Sequence, residues 1–300
     1  GRAGTTSLVI AEKLGGVGAQ LRGRKVAILL SPSFFFTYEL NDKAYAGNFS
    51  ALLASECLFS DALSFELRHD LARRMAEFPR TLESRPLLRF AAKRLSAGLP
   101  RDRLLYRAAQ PFGWAWNAVV RFQDHIETAC YIAEHLRKLK APPRRETPIA
   151  WGRLVAEADE RTEPFRPRRV DRGAGDREPR LFSSDADFNS AVVNSAEWAD
   201  LKLLVRTLHE LGAQPLILAI PINGTYLDGI GVSAAARARY YDRLEGFAQR
   251  ENVMLLDFRE HEMDAKFFSD THDHLSPKGW LYFDKALDEF VHDRPSVVAR

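Results

Sequence analysis

Asp270, His272, Asp273 and His274 fall within five residues, in the stretch Ser269-Asp-Thr-His-Asp-His-Leu-Ser-Pro-Lys-Gly-Trp280. This is the densest set of ionisable groups in the chain. An imidazole can take a proton from a hydroxyl when a carboxylate fixes its tautomer. His274 is suited to that work because Ser276 reads as an N-cap and Pro277 as a first helical residue. Those two place the histidine on a rigid edge with its ring free to face a cleft. Asp270 stands four residues before it, so a turn can return its carboxylate to the ring. Asp273 is adjacent and would have to double back on its own neighbour. The plainer alternative is a polar loop that caps a helix. His261, His272, His274 and the aspartates could instead gather a metal. The chain has no paired cysteines at ligand spacing and no H-E-x-x-H, so neither metal nor cofactor is expected.

The elements that must position this loop follow from apolar periodicity. Lys25–Ser31, Gln214–Ile222 and Asn252–Phe258 are short aliphatic runs that read as buried parallel strands. Thr5–Leu21, Glu197–Leu211, Ala234–Arg250 and Pro277–Val291 read as helices, as does Ile149–Ala158. Residues from about 50 to 139 also read as helices, with Pro79, Pro86, Gly98, Pro100 and Pro111 as breakers. Trp114 and Trp116 are expected to open a long helix there and to pack in the core. The helix–strand–helix order near the C-terminus predicts an α/β fold, a parallel sheet covered by helices on both faces. In such sheets ligands bind beyond the carboxyl ends of the strands. Those ends carry Ser31 and Ser33 after the first strand, Asn223-Gly224 with Tyr226 after the second, and Asp257 after the third. Asn223-Gly224 is either a plain turn or an amide at an active-site rim. Arg166–Arg180 reads as a surface loop, with an anion clamp as the sharper alternative.

Composition sets outer limits. The chain has 300 residues, 46% of them hydrophobic and 28% charged, so it is neither disordered nor fibrous. A net charge of +3 is too small and too dispersed to argue for nucleic acid. No apolar run approaches a membrane span. Two cysteines, Cys57 and Cys130, leave room for one bridge at most.

Several segments together resemble the DltD family, the D-alanyl–lipoteichoic acid biosynthesis proteins with an SGNH-hydrolase-like fold. They are Gly1-Arg-Ala-Gly-Thr-Thr-Ser-Leu8, Lys25-Val-Ala-Ile-Leu-Leu-Ser-Pro-Ser-Phe-Phe35, Gly47-Asn-Phe-Ser50, Trp198-Ala-Asp-Leu201, Pro221-Ile-Asn-Gly224 with Tyr226, and His274-Leu-Ser-Pro-Lys-Gly-Trp280. Ile149-Ala-Trp-Gly-Arg-Leu154 is similar to a family helix. The resemblance implies one SGNH-like domain over 1–300 with a mostly helical insertion at about 48–140. It implies acyl transfer on the outer face of the cytoplasmic membrane, D-alanyl in type, onto or from a cell-envelope polymer. An esterase of acylated carbohydrate would share these residues, and a non-catalytic envelope binding protein would share the fold. An acyl carrier or a membrane acyltransferase is the implied partner, and an N-terminal membrane helix the implied tether.

The same resemblance implies a Ser-His-Asp mechanism with His274 as base. The family's aspartate position, three residues before the histidine, holds Thr271, so Asp270 is its nearest substitute. His272 is the competing base and Asp273 the other acid. The family's serine lies upstream of the Gly-Arg-x-Gly segment, so the nucleophile and its strand are expected ahead of Gly1. Gly4 matches the position that lends an amide to an oxyanion. Ser31-Pro-Ser33 stands where the second donor would be, with Ser33 and Asn223 at the substrate rim.

Overall fold

The computed structural model describes residues 5–36, 40–135, 149–165, 182–270 and 273–293. In chain order its elements are α1 (Ser7–Val17), β1 (Lys25–Leu30), α2 (Ser33–Phe36), α3 (Asp42–Asn48), α4 (Ala51–Leu58), α5 (Phe65–Met75), α6 (Pro79–Leu82), α7 (Pro86–Ala97) and α8 (Pro100–His135). They continue as α9 (Trp151–Arg161), α10 (Asp185–Asn194), α11 (Glu197–Glu210), β2 (Gln214–Ala219), α12 (Gly224–Ile230), α13 (Ala234–Arg250), β3 (Met254–Leu256) and α14 (Pro277–Val291). The chain divides into two compact units. One is built from Gly1–Arg24, Leu40–Ile149 and Asp200–Ala213, the other from Lys25–Glu39, Ala150–Ala199 and Gln214–Arg300. Among the described residues no helix is long and apolar enough to cross a membrane.

The second unit holds the parallel sheet, in the order β1-β2-β3. Lys25 pairs with Gln214 and Leu30 with Ala219, and Leu216 pairs with Met254. All three strands therefore end at one edge. The expected α/β class, a small parallel sheet covered by helices, is what the structure has. The third strand is shorter than the run Asn252–Phe258 predicts. Asn252 and Phe258 both sit at left-handed φ, 50° and 49°, and that conformation cannot continue a strand. Phe258 is held there by full burial and by stacking on Phe283 at 4.4 Å between ring centroids. Leu216, Leu218, Leu256, Phe258, Phe267, Phe268, Leu275 and Phe283 form one core. Burying a side chain of this size contributes roughly 1.5–3 kcal/mol. Three members, Phe267, Phe268 and Leu275, bracket the ionisable loop, so the sheet's core fixes the loop at both ends.

The first unit is helical. α1 lies directly on α4 because Gly15 and Gly16 carry no side chain. A Cβ at Gly16 would collide with the backbone of Leu53, and one at Gly15 with Sγ of Cys57. Cys57 is buried, Cys130 is exposed, and both are free thiols. The long helix departs from expectation at its start. It begins at Pro100, not at Trp114, and runs through Pro111. Pro111 is on an exposed side of the helix, where water can satisfy the carbonyl that loses its amide partner. Trp114 and Trp116 are also not core residues. They are exposed, and Trp114 Nε1 donates to the carbonyl of Phe59 at 2.8 Å. The stretch Arg166–Arg180 lies outside the described residues.

Glu12 on α1 is buried and accepts a hydrogen bond from the Tyr45 hydroxyl at 2.7 Å. Burial pushes its carboxyl up from 4.5 to about 8, against the opposing pull of the Tyr45 hydroxyl. A raised carboxyl favours the neutral form in the fold. The stability it allows is full below about pH 4.5 and is lost as pH rises toward 8. Glu12→Gln keeps the shape and removes the titration. Urea unfolding should find the variant more stable than the parent at pH 7, by about 3 kcal/mol, with a flatter pH dependence between pH 4.5 and 8.

Candidate active site

The site is assembled on the C-terminal edge of the sheet, within the second unit. Loop 267–276 is closed by its own backbone. Ser276 N donates to Phe267 O at 2.9 Å, Ser269 N donates to His274 O at 2.8 Å, and Phe268 bridges Leu275 in antiparallel fashion. The Ser276 hydroxyl donates to the Lys266 carbonyl and accepts from Gly279 N at 3.2 Å, so it caps α14 as its sequence position suggests. A Cβ at Gly279 would strike the Phe267 carbonyl, so glycine is what lets the helix start against the loop.

Inside this closure, His274 Nδ1 meets the Asp270 carboxylate in a short contact. The four-residue spacing brings the carboxylate back to the ring. The Asp270 hydrogen bond raises the His274 pKa above its ordinary value, and the Asp270 charge adds to the effect. The His274 side chain is 76% exposed and Asp270 36%, which leaves the far side of the ring open to solvent. Nδ1 is therefore occupied, and Nε2 is the nitrogen left for chemistry.

Asp273 turns the other way. It accepts the Ser31 hydroxyl, joining the end of β1 to the loop. Ser31 Oγ also accepts the amide of Ser33 at 3.2 Å. Asn223 ties in the end of β2. Its Nδ2 donates to the Asp270 carbonyl at 3.0 Å, and its Oδ1 accepts Tyr226 N at 3.1 Å as the cap of α12. The side chain is buried and both ends are engaged, so it positions the loop bearing Asp270. Gly4, Thr271 and His272 lie outside the described residues. His261 stacks on Phe267 at 4.4 Å, and burial lowers its pKa.

Two supports escaped the sequence reading. Lys278, in the first turn of α14, bonds Asp264 at 2.7 Å and also Asp159 on α9. Arg237 on α13, fully buried, bonds Asp228, the Val232 carbonyl at 2.8 Å and Glu262 at 3.3 Å. Gly224 N donates to the Glu262 carbonyl at 2.8 Å, at an approach a side chain would block. No local pattern marks these contacts, since each joins residues from separate elements. A cleft of about 660 Å³ lies between α9 and the start of α14, lined by Leu154, Ala158, Arg161, Phe165, Phe268 and Leu281 among others. Ser269 and Ser276 line it, but His274 does not.

With a hydrogen-bonded carboxylate on Nδ1, the site can hold one imidazole tautomer, accept a proton at Nε2 and stabilise the resulting cation. The raised pKa means that protonated His274 contributes stability below its ordinary range, and that this is lost as pH rises through the raised value. Asp270→Asn should shift the His274 titration, followed by NMR, to lower pH. An unchanged midpoint would mean that the carboxylate does not hold the ring.

A model of the DltD protein family matches residues 1–168 and 172–292. Protein DltD of Bacillus subtilis (strain 168) is 24% identical over 294 residues, which cover 97% of this chain and 73% of that protein. Protein DltD of Staphylococcus aureus (strain NCTC 8325 / PS 47) is 23% identical over 301 residues, covering 98% of this chain and 73% of its own length. With nearly its whole length matched, the chain belongs to the DltD protein family.

Proposed function

We propose that this chain serves extracytoplasmic acyl transfer, D-alanyl in type, onto or from a cell-envelope polymer, with His274 as general base and acid and Asp270 as the group that fixes it. The observation that carries this reading is the contact between Asp270 and His274 Nδ1 at the carboxyl edge of a parallel sheet. Family membership supplies the acyl-transfer context.

The mechanism is two-step. A serine hydroxyl attacks the acyl carbonyl and gives its proton to His274 Nε2. The tetrahedral oxyanion is held by backbone amides. Its collapse expels the leaving group, which takes the proton from His274. In the second step a polymer hydroxyl, or water, attacks the acyl-serine ester. His274 takes the acceptor's proton and returns one to the serine oxygen. With water as acceptor the reaction is ester hydrolysis, so the choice between transferase and esterase rests on the acceptor.

His274→Ala should lower acyl transfer, or cleavage of an acyl ester, by about 10²–10⁴-fold while leaving the circular dichroism spectrum intact. Because the base works in its neutral form, activity should rise with pH through the raised His274 pKa. In Asp270→Asn that acid limb should move to lower pH and the maximum rate should drop. Ser31→Ala should retain most activity, since Ser31 is engaged with Asp273 and not with His274. A loss there as deep as that of His274→Ala would make Ser31 the nucleophile and overturn the assignment of the serine.

A further inference from the structure

Helix α8 turns one face into the first unit, and among the described residues its other face is exposed. Its inward face is fixed by specific contacts. Asn117 Oδ1 accepts the Ser55 hydroxyl at 2.6 Å, Tyr106 bonds Arg68 at 2.8 Å, and Gly113 sits so close to the Phe59 ring that a Cβ would clash. The outward face is apolar. Leu105, Phe112, Val119 and Ile126 recur every seven residues, with Trp116 and Phe122 beside them. Phe112 is 71% exposed, Phe122 68% and Val119 62%. From Leu105 to Ile126 the ridge runs about 30 Å along the helix. A continuous exposed apolar ridge of that length marks an interaction surface.

The charge around it indicates the partner. Between Ser84 and Ile126 the sequence holds eight basic residues and two acidic ones, Asp102 and Asp124, in a chain whose net charge is only +3. Asp102 is buried and paired with Arg94 at 2.8 Å, so it does not offset that charge at the surface. Arg85, Arg89, Lys93, Arg101, Arg103 and Arg107 are exposed on α7, on α8 or beside them, and the two helices pack together. A partner helix paired along this seam would call for charged flanks of complementary sign. The flanking positions here are Leu104, Ala109, Pro111, Trp116, Ala118, Gln123 and His125, none of them acidic. Aromatic and aliphatic side chains on one face, with the cations gathered toward its N-terminal end and the nearest exposed acidic residues of α8, Asp124 and Glu127, at its C-terminal end, match an anionic lipid surface.

We propose that the outward face of α8 is a membrane-surface docking site, seated at the headgroup boundary of an anionic bilayer with Phe112, Trp116 and Phe122 inserted. This surface is independent of the acyl-transfer chemistry assigned to His274. The 300-residue chain should co-sediment with phosphatidylglycerol vesicles more strongly than with phosphatidylcholine vesicles. The preference should weaken at 1 M salt, where screening shortens to about 3 Å. The triple variant Phe112→Ser, Trp116→Ser, Phe122→Ser changes exposed positions only, and a thermal melt checks that it folds. Its partition into phosphatidylglycerol vesicles should fall about tenfold or more. Equal partition of parent and variant would overturn the proposal, as would a parent that stays in the supernatant. A parent that ignores vesicles but sediments as a dimer, which the triple variant converts to a monomer, would assign the ridge to a second copy instead.

Discussion

Two backbone hydrogen bonds, Ser276 N to Phe267 O and Ser269 N to His274 O, close the loop on which the candidate site rests. They cost nothing in side-chain freedom, and they convert a polar surface stretch into a fixed frame. Within that frame the four-residue interval from Asp270 to His274 becomes a defined ring-to-carboxylate contact. The frame is anchored from below, because Phe267, Phe268 and Leu275 are part of the core under the sheet. One short loop thus serves two purposes, with the apolar residues at its two ends locked into the interior and Asp270, Asp273 and His274 presented at the edge.

Polar ties extend the same frame sideways. Asn223 reaches from the end of β2 to the Asp270 carbonyl, and Ser31 reaches from the end of β1 to Asp273. Lys278 joins α14 to α9 through two carboxylates. The Asn223 amide is buried, so losing its contact would strand a donor away from water, which typically costs about 1–3 kcal/mol. The carboxyl ends of the strands are where a parallel sheet leaves such groups free to converge.

Local chemistry in the sequence identified much of this. The aliphatic run Lys25–Ser31 reads as a strand because it is short and uninterrupted, and Ser276-Pro277 reads as a helix start because capping chemistry demands those residue types. The Asp270–His274 interval is legible for the same reason. What was not legible depends on residues far apart in the chain. The partners of Lys278 and Arg237 come from other elements, and Asp273 finds Ser31 across 242 positions. The end of β3 turns on the left-handed conformation of Phe258, which core packing imposes against its own preference. Pro111 reads as a breaker because an interior proline costs a hydrogen bond, yet an exposed carbonyl can be rehydrated. Trp114 and Trp116 read as core because large aromatics usually are, and no local signal says which side of a helix its unit will cover.

The two thiols differ sharply in environment. Cys57 is buried and its thiol is pushed far up by burial, whereas Cys130 is exposed on α8. Eighteen residues separate Phe112 from Cys130, which is five whole turns of helix. Cys130 thus shares the azimuth of Phe112. A maleimide dye or nitroxide added to the unmodified chain would therefore attach at one position and report from that line of the helix, with no cysteine to be engineered in or out.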